Sequence, residues 1–196
     1  QSLTLILSGN LASSLSSVAS GKPIRRVAVI GSGIAGLSVA HSLTNSPGLR
    51  DKFLPDRQEE FQVSLFDSRP KLDESVGAGI QLSGGLALLN RINPSVHDAV
   101  ADAGLPTAKI QSRCKSWNSN REYDTLLELD LREVIQGAGQ EVADVLIQDG
   151  KVQWTNIMRG TLQKVLFQML PDKVKKKAQF KKTLVGIRSL DDDDNN

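Results

Sequence analysis

Three closely spaced glycines near the start of the chain could bind phosphate. They lie in the run Gly31-Ser32-Gly33-Ile34-Ala35-Gly36, which has the spacing G-x-G-x-x-G. Within a strand–turn–helix unit, the first glycine allows a sharp turn and the second lets a pyrophosphate approach the backbone. The third lets the helix pack closely on the strand. Amides at the start of the helix would face the phosphates. The run therefore predicts a dinucleotide site, and a glycine turn without a ligand is the alternative.

A carboxylate follows the next predicted strand. The segment Gln62–Phe66 is apolar enough for a buried strand and is followed directly by Asp67. In dinucleotide-binding folds, an acidic residue at this point accepts hydrogen bonds from the adenosine ribose. Asp67 lies 31 residues after Gly36, whereas the usual spacing is about 20, so we interpret the polar stretch before the strand as a surface insertion. Ser68 and Arg69 come next and could lie near the adenosine. A carboxylate that merely ends a strand is the alternative.

Strands and helices must position these groups. Val27–Ile30 is apolar and mostly β-branched, which predicts a buried parallel strand before the glycines, and Leu37–Leu43 after them has helical spacing. A second glycine-rich stretch, Gly77–Ser83, predicts extended backbone followed by a short helix over Leu86–Ile92. This alternation of strands and helices indicates an α/β fold with a parallel sheet.

A helix near the carboxyl end of the chain carries an arginine in an unfavourable position. The run Met158–Leu170 has an apolar stripe at helical spacing, and Arg159 lies in its first turn. A cation there opposes the helix dipole, which suggests that Arg159 holds an anion; a solvated arginine is the alternative. Further on, Thr183–Ile187 is apolar and predicts a last buried strand.

Three of these motifs in this order resemble the N-terminal part of a known enzyme family. The motifs are V-A-V-I-G-S-G-I-A-G-L with Asp67, G-A-G-I-Q-L-S before a helix, and M-R-G-T-L-Q-K-V-L. Together they resemble the FAD-dependent monooxygenases of the aromatic-hydroxylase type, which include salicylate and hydroxybenzoate hydroxylases and zeaxanthin epoxidase. The resemblance implies an incomplete Rossmann-like FAD-binding domain with a parallel sheet, followed by the start of a β-rich, substrate-side region.

The resemblance also implies roles for single residues. The glycine turn would hold the FAD pyrophosphate, and Asp67 would hold the ribose. Arg159, with Gln163 one turn on, would face the phosphate or ribityl region. Val185 would lie near the adenine through its backbone. Three residues would pass near the isoalloxazine: Gly79, Ile80 and Gln81. No catalytic residue follows from the resemblance.

The implied activity is NAD(P)H- and O₂-dependent insertion of oxygen into a small molecule, with FAD as cofactor. Epoxidation of a carotenoid such as zeaxanthin is the preferred reaction, and aromatic-ring hydroxylation is the alternative. The later FAD motifs of the family do not occur in these 196 residues. The chain is therefore expected to be the N-terminal portion only. A non-catalytic Rossmann-like binding or structural subunit remains a third hypothesis.

The composition of the chain bears on its binding partners and on its location in the cell. A net charge of +2 does not predict binding to nucleic acid, and the single cysteine, Cys114, excludes an intrachain disulfide. No metal site is predicted, and His41 and His97 are expected to be structural or exposed. Residues 1–24 are rich in serine and free of acids, as in organelle transit peptides. We therefore expect a leader or disordered arm there, the monooxygenase domain over 25–196, and a plastid location, with the cytoplasm as the alternative. The lysine-rich segment 174–182 is most simply a solvated face, and peripheral membrane association is the alternative.

Overall fold

The structure is a computed structural model that describes residues 4–5, 26–45, 62–73, 77–115 and 123–187. These residues belong to two compact units: the second runs from Gly77 to Arg159, and the first comprises the residues before and after it. The predicted leader lies outside the described residues except for Thr4–Leu5, and the predicted insertion before Asp67, residues 49–61, lies wholly outside them.

The first unit begins with a parallel sheet. Its strands are β1 (Thr4–Leu5), β2 (Arg26–Ile30) and β3 (Gln62–Phe66), in the order β1-β2-β3. The three central residues of β2 are buried, as expected for a parallel strand that is covered on both faces. Helix α1 (Ile34–Asn45) connects β2 to β3. Its residues Leu37, Ala40 and Leu43 are buried, and their spacing of three places them on one face.

The second unit is a mixture of short helices and antiparallel strands. It begins with β4 (Gly79–Ser83), α2 (Gly85–Ile92), α3 (Pro94–Ala103) and β5 (Leu105–Pro106). It continues with β6 (Lys109–Lys115), β7 (Tyr123–Asp130), α4 (Leu131–Gly137), α5 (Gln140–Leu146), β8 (Ile147–Gln148), β9 (Lys151–Val152) and β10 (Trp154–Met158). One antiparallel sheet has the order β4-β10-β5, while β6 pairs with β7 and β8 with β9.

The chain then returns to the first unit. Helix α6 (Arg159–Gln168) buries Leu162 and Leu166, and the short α7 (Asp172–Lys175) buries Val174. After α7 the backbone runs beside β3, where Gln179 N donates to Leu65 O at 2.8 Å and Asp67 N donates to Gln179 O at 3.0 Å. This pairing covers one end of β3 with a segment more than 100 residues later in the sequence.

The predicted strand over Thr183–Ile187 is wrong. These residues form no strand and are exposed, and Val185 keeps 96% of its surface accessible. The pairing with β3 uses residues 179–182 instead, where Lys182 N donates to Asp67 O at 2.9 Å. An apolar run becomes a strand only where a sheet edge offers it hydrogen-bond partners, and these five residues meet none among the described residues.

Candidate functional site

The register of the parallel sheet places the glycine turn beside Asp67. Val29 pairs with Leu65 and Ile30 with Phe66, so both strands end at the same edge of the sheet. Gly31 N donates to Phe66 O at 2.7 Å and fixes this alignment. The carboxyl ends of parallel strands are where open α/β sheets bind ligands. The first unit therefore brings its two predicted binding elements to one place.

Each glycine of the turn has a different surrounding. Gly31 has a φ of +94°, a conformation that favours glycine. At Gly36 an added Cβ would overlap the carbonyl oxygen of Gly31, so the closeness of α1 to the turn requires glycine there. At Gly33 an added Cβ would meet no atom within 4 Å. The turn thus leaves open space beside Gly33, at the start of α1.

The Asp67 carboxylate is the centre of a hydrogen-bond network. Its Oδ2 accepts from Ser32 N at 2.7 Å and from Ser32 Oγ at 2.5 Å. The backbone N and Nε of Arg69 donate to Oδ1 at 2.8 and 3.0 Å, and Nη2 of Arg69 donates to Oδ2 at 2.8 Å. Asp67 is only 4% exposed. All of its hydrogen-bonding capacity is therefore used inside the chain.

These contacts keep Asp67 ionised. The Arg69 guanidinium lowers the pKa of the Asp67 carboxyl well below its ordinary value, and the Ser32 hydrogen bonds act in the same direction against the opposing effect of burial. The same contact raises the pKa of Arg69. A full negative charge therefore lies at the edge of the sheet, next to the amino end of α1.

Gln163 of α6 supports the turn from the inside. Its Nε2 donates to the carbonyl oxygen of Ser32 at 2.5 Å, and both residues are buried. Nearby in the fold, Nε2 of His41 hydrogen-bonds Leu166 O at 2.8 Å. His41 is fully buried and links α1 to α6, so it has a structural role. Ser32 and Gln163 thus direct their side chains at the protein's own backbone and at Asp67.

The remaining predicted residues of the first unit differ in exposure. Ile34 is half-buried in the first turn of α1, Ala35 next to it is exposed, and Ser68 is exposed between Asp67 and Arg69. Val185 belongs to the exposed segment described above and lies in no strand, which removes the structural setting in which its backbone was expected to meet an adenine.

The second unit contains the other predicted contacts. Gly79, Ile80 and Gln81 lie in β4 and pair with Met158, Ile157 and Asn156 of β10. Arg159 is exposed, and its backbone N donates to Ala78 O at 3.2 Å. At Gly77, where φ is +129°, an added Cβ would lie 3.0 Å from Cβ of Arg159. The glycine thus lets the backbone of this stretch pass close to the arginine.

The sequence did not reveal a cavity of about 740 Å³ within the second unit. His97, Gln153, Trp154 and Thr155 line it together with several charged residues. His97 Nε2 and Gln153 Oε1 lie 2.7 Å apart. Trp154 Nε1 and Thr155 Oγ1 are buried and have no hydrogen-bond partner within the part of the chain that the structure describes. The His97–Gln153 contact joins residues 56 positions apart, a separation for which no sequence period gives a signal.

The described ranges hold no group of three or more histidine, cysteine or acidic side chains that could bind a metal ion. Within the same ranges, no helix combines the length and apolar character needed to cross a membrane.

Solved structures share this fold. Aklavinone-11 hydroxylase, solved with FAD and aklavinone, matches 88% of the chain with a TM-score of 0.52 and 19% identity. The C294A mutant of 2-methyl-3-hydroxypyridine-5-carboxylic acid oxygenase matches 82% of the chain with a TM-score of 0.50 and 19% identity. No protein-family model matches the sequence, and no curated protein does.

At this level of identity the likeness shows the fold and no more. It is an α/β fold, shared with an enzyme that was solved with FAD bound. The chain spans 28% of the length of the hydroxylase and 32% of the length of the oxygenase. Activity and substrate therefore belong with the proposals below.

The residues of the first unit fit a dinucleotide. The open space at Gly33 leaves room for a pyrophosphate next to the amino end of α1, where amides without helical acceptors attract anions. The carboxylate of Asp67 lies at the same edge, but its oxygens already accept five hydrogen bonds from Ser32 and Arg69, so a ribose hydroxyl would have to replace one of these donors. The glycine turn thus fits the phosphate half of such a ligand, and the ribose half fits if one donor leaves Asp67.

Proposed function

We propose that the chain is the FAD-binding part of an FAD-dependent monooxygenase. The observation that carries the proposal is the alignment of two features at one sheet edge: a glycine turn with open space at Gly33, and the buried carboxylate of Asp67 at the end of the neighbouring strand. The sequence motifs and the fold shared with a hydroxylase that was solved with FAD support it.

In this proposal the first unit binds and orients the adenosine diphosphate half of FAD. The amides at the start of α1 bind the pyrophosphate, Gly33 admits it without steric hindrance, and Asp67 accepts from the ribose. Gln163 keeps the turn in shape through the Ser32 carbonyl. Bound FAD supplies electron transfer and activation of O₂, with NAD(P)H as the reductant, and the protein supplies position and shielding. Gly79, Ile80, Gln81 and Arg159 are the proposed contacts on the flavin side.

Two substrate classes are proposed. Aromatic-ring hydroxylation is supported by the names of the structural neighbours, which act on aklavinone and on a hydroxypyridine carboxylic acid. Epoxidation of a carotenoid in a plastid is supported by the acid-poor leader and the lysine-rich segment, which would suit an enzyme working at a membrane surface. Incubation with each candidate substrate, NAD(P)H and ¹⁸O₂, followed by mass spectrometry of the product, separates the two classes.

Titration of the purified chain with FAD and, separately, with NAD tests the cofactor assignment. We expect FAD to bind and its flavin fluorescence to change, and we expect Gly33→Ala to weaken that binding because the new methyl group occupies the space beside the turn. Gly137→Ala is the matched control, since a Cβ there also meets nothing within 4 Å but lies in the other unit. A chain that binds NAD and not FAD, or binds neither, contradicts the proposal.

A further inference from the structure

The carboxylate that is proposed to receive the ribose is already saturated. Asp67 accepts five hydrogen bonds, two from Ser32 and three from Arg69. A carboxylate offers about four lone-pair sites. A ribose hydroxyl can therefore donate to Asp67 only if one of the present donors leaves.

The five donors differ in how easily they can leave. The amide and hydroxyl of Ser32 are completely buried, and the residue is held by Gln163. The Arg69 amide is part of the backbone, and the Arg69 carbonyl accepts from Lys181 N at 3.0 Å. The guanidinium, in contrast, lies on a side chain that is 42% exposed. It can rotate into solvent without moving any backbone.

We propose that the Arg69 guanidinium is an internal competitor that occupies the ribose position on Asp67 and is displaced when the ribose diol binds. Nε and Nη2 contact both oxygens of the carboxylate, as the two hydroxyls of a ribose would. The inference rests on the proposed function, because it assumes that the site takes an adenosine nucleotide. It goes further in making Arg69 a determinant of affinity for the diol rather than a simple attractive contact.

An internal competitor lowers the apparent affinity of the ligand by the fraction of protein in which the site is blocked. Removing the guanidinium should therefore strengthen binding of any ligand that uses Asp67, and leave other ligands unaffected. Since one partner of this charge pair is partly exposed, we expect a gain of about three- to tenfold. A merely attractive arginine would give the opposite sign with an anionic ligand.

The test is isothermal titration of the full chain with ADP and with 2′,3′-dideoxy-ADP, which carries the same charge but no diol. We expect Arg69→Ala to bind ADP about three- to tenfold more tightly than the wild type and the dideoxy compound equally well. Arg69→Lys keeps the charge but loses the bidentate contact, so its affinity for ADP should lie between those of the wild type and Arg69→Ala. Lys182→Ala is the control for loss of a nearby positive charge, and it should change both ligands alike. Circular dichroism checks that each variant is folded.

Nuclear magnetic resonance gives a second measurement. The Nε–H signal of Arg69, assigned by its loss in Arg69→Lys, should shift when ADP saturates the site and stay unchanged with the dideoxy compound. The inference is overturned if Arg69→Ala weakens ADP binding, or if it changes both ligands equally. If neither ADP nor FAD binds the wild type or any variant, the proposed function itself fails. If FAD binds the wild type but Arg69→Ala affects ADP and the dideoxy compound alike, only the inference fails.

Discussion

At the scale of the residue, the site depends on one buried charge and on the donors that hold it. The position of Asp67 could be predicted from sequence, because it directly follows an apolar segment and must therefore lie at the end of the strand. Its partners could not. Ser32 lies 35 residues before Asp67, and Gln163, which contacts Ser32, lies 131 residues after Ser32. Side-chain contacts over such separations depend on how the helices pack, which no local pattern records.

Replacing Asp67 with asparagine tests the energetic importance of that charge. Asp67→Asn loses the charge-assisted bonds from Arg69, and we expect the free energy of unfolding at neutral pH to fall by about 1–3 kcal/mol. The pKa of Asp67 is depressed in the folded chain, so its stabilising effect is complete above its ordinary pKa of 3.8 and decreases as the pH falls below that value. Urea unfolding of both proteins at several pH values measures the difference.

The control for this substitution is Asp172→Asn. That carboxylate is exposed and pairs with Lys175 within one short helix, so we expect little change in the unfolding curve. Equal losses in the two variants would show that Asp67 is no more important than a surface acid.

His41 gives a second pH dependence. Burial lowers the pKa of its imidazole below the ordinary 6.5, while Nε2 contacts Leu166 O and Nδ1 contacts the Asn45 amide. The neutral ring is therefore the native form, and the unfolded chain binds the extra proton. Stability should fall as the pH drops below 6.5, by at most about 1.4 kcal/mol per pH unit. Thermal unfolding of His41→Gln, which does not titrate, should show a flatter curve over this range; an unchanged slope contradicts the assignment.

At the scale of the element, β2, α1 and β3 were predictable. The strands β2 and β3 are short apolar segments followed by a glycine and by an acid, and α1 has its apolar residues at helical spacing. The segment Thr183–Ile187 shows the limit of that approach. Its composition predicts a buried strand, yet it is exposed, and residues 179–182 make the pairing with β3 instead. A strand depends on its neighbour as much as on its own residues, and the neighbour here is more than 100 positions earlier in the chain.

Alanine substitutions at Gly36 and Gly33 should affect different properties, the first stability and the second ligand binding. Gly36→Ala forces a methyl group onto the Gly31 carbonyl, and we expect the free energy of unfolding to fall by about 1–3 kcal/mol. Gly33→Ala adds its methyl group to open space, so its unfolding curve should stay close to that of the wild type while ADP binding weakens. Paired chemical unfolding and calorimetry measure both effects. A stable Gly36→Ala variant, or a Gly33→Ala variant with full affinity, would contradict the different roles of these positions.

At the scale of the whole molecule, the chain folds as two units, one discontinuous in sequence and one continuous. The α/β class and the glycine turn followed from the sequence. The division did not, because the segments of the first unit carry ordinary strand and helix patterns that do not reveal which of them pack together. The chain covers 28% of the length of one structure that shares its fold and 32% of the length of another.

The affinities for FAD and for its two halves test which part of the cofactor this chain binds. The residues of the first unit are proposed to bind the adenosine diphosphate half of FAD, so we expect ADP to account for most of the affinity and the proposed flavin-side contacts to add at most about tenfold. Calorimetry with ADP, FAD and FMN measures this, and FMN, which lacks the adenosine, should bind weakest. An affinity for FAD more than about tenfold above that for ADP would show that the flavin-side contacts contribute more than this, with Gly79, Ile80, Gln81 and Arg159 as the first residues to substitute.

The backbone pairing of Gln179–Lys182 with β3 has a consequence for synthesis on the ribosome. Asp67 exchanges backbone hydrogen bonds with residues that are translated roughly 115 positions later, which takes about 6–23 s at typical elongation rates. During that interval the continuous second unit can fold as it emerges, whereas β3 keeps an unpaired edge. The nascent chain therefore has a defined period in which this edge is open to wrong partners, and chaperone contact is expected to concentrate there.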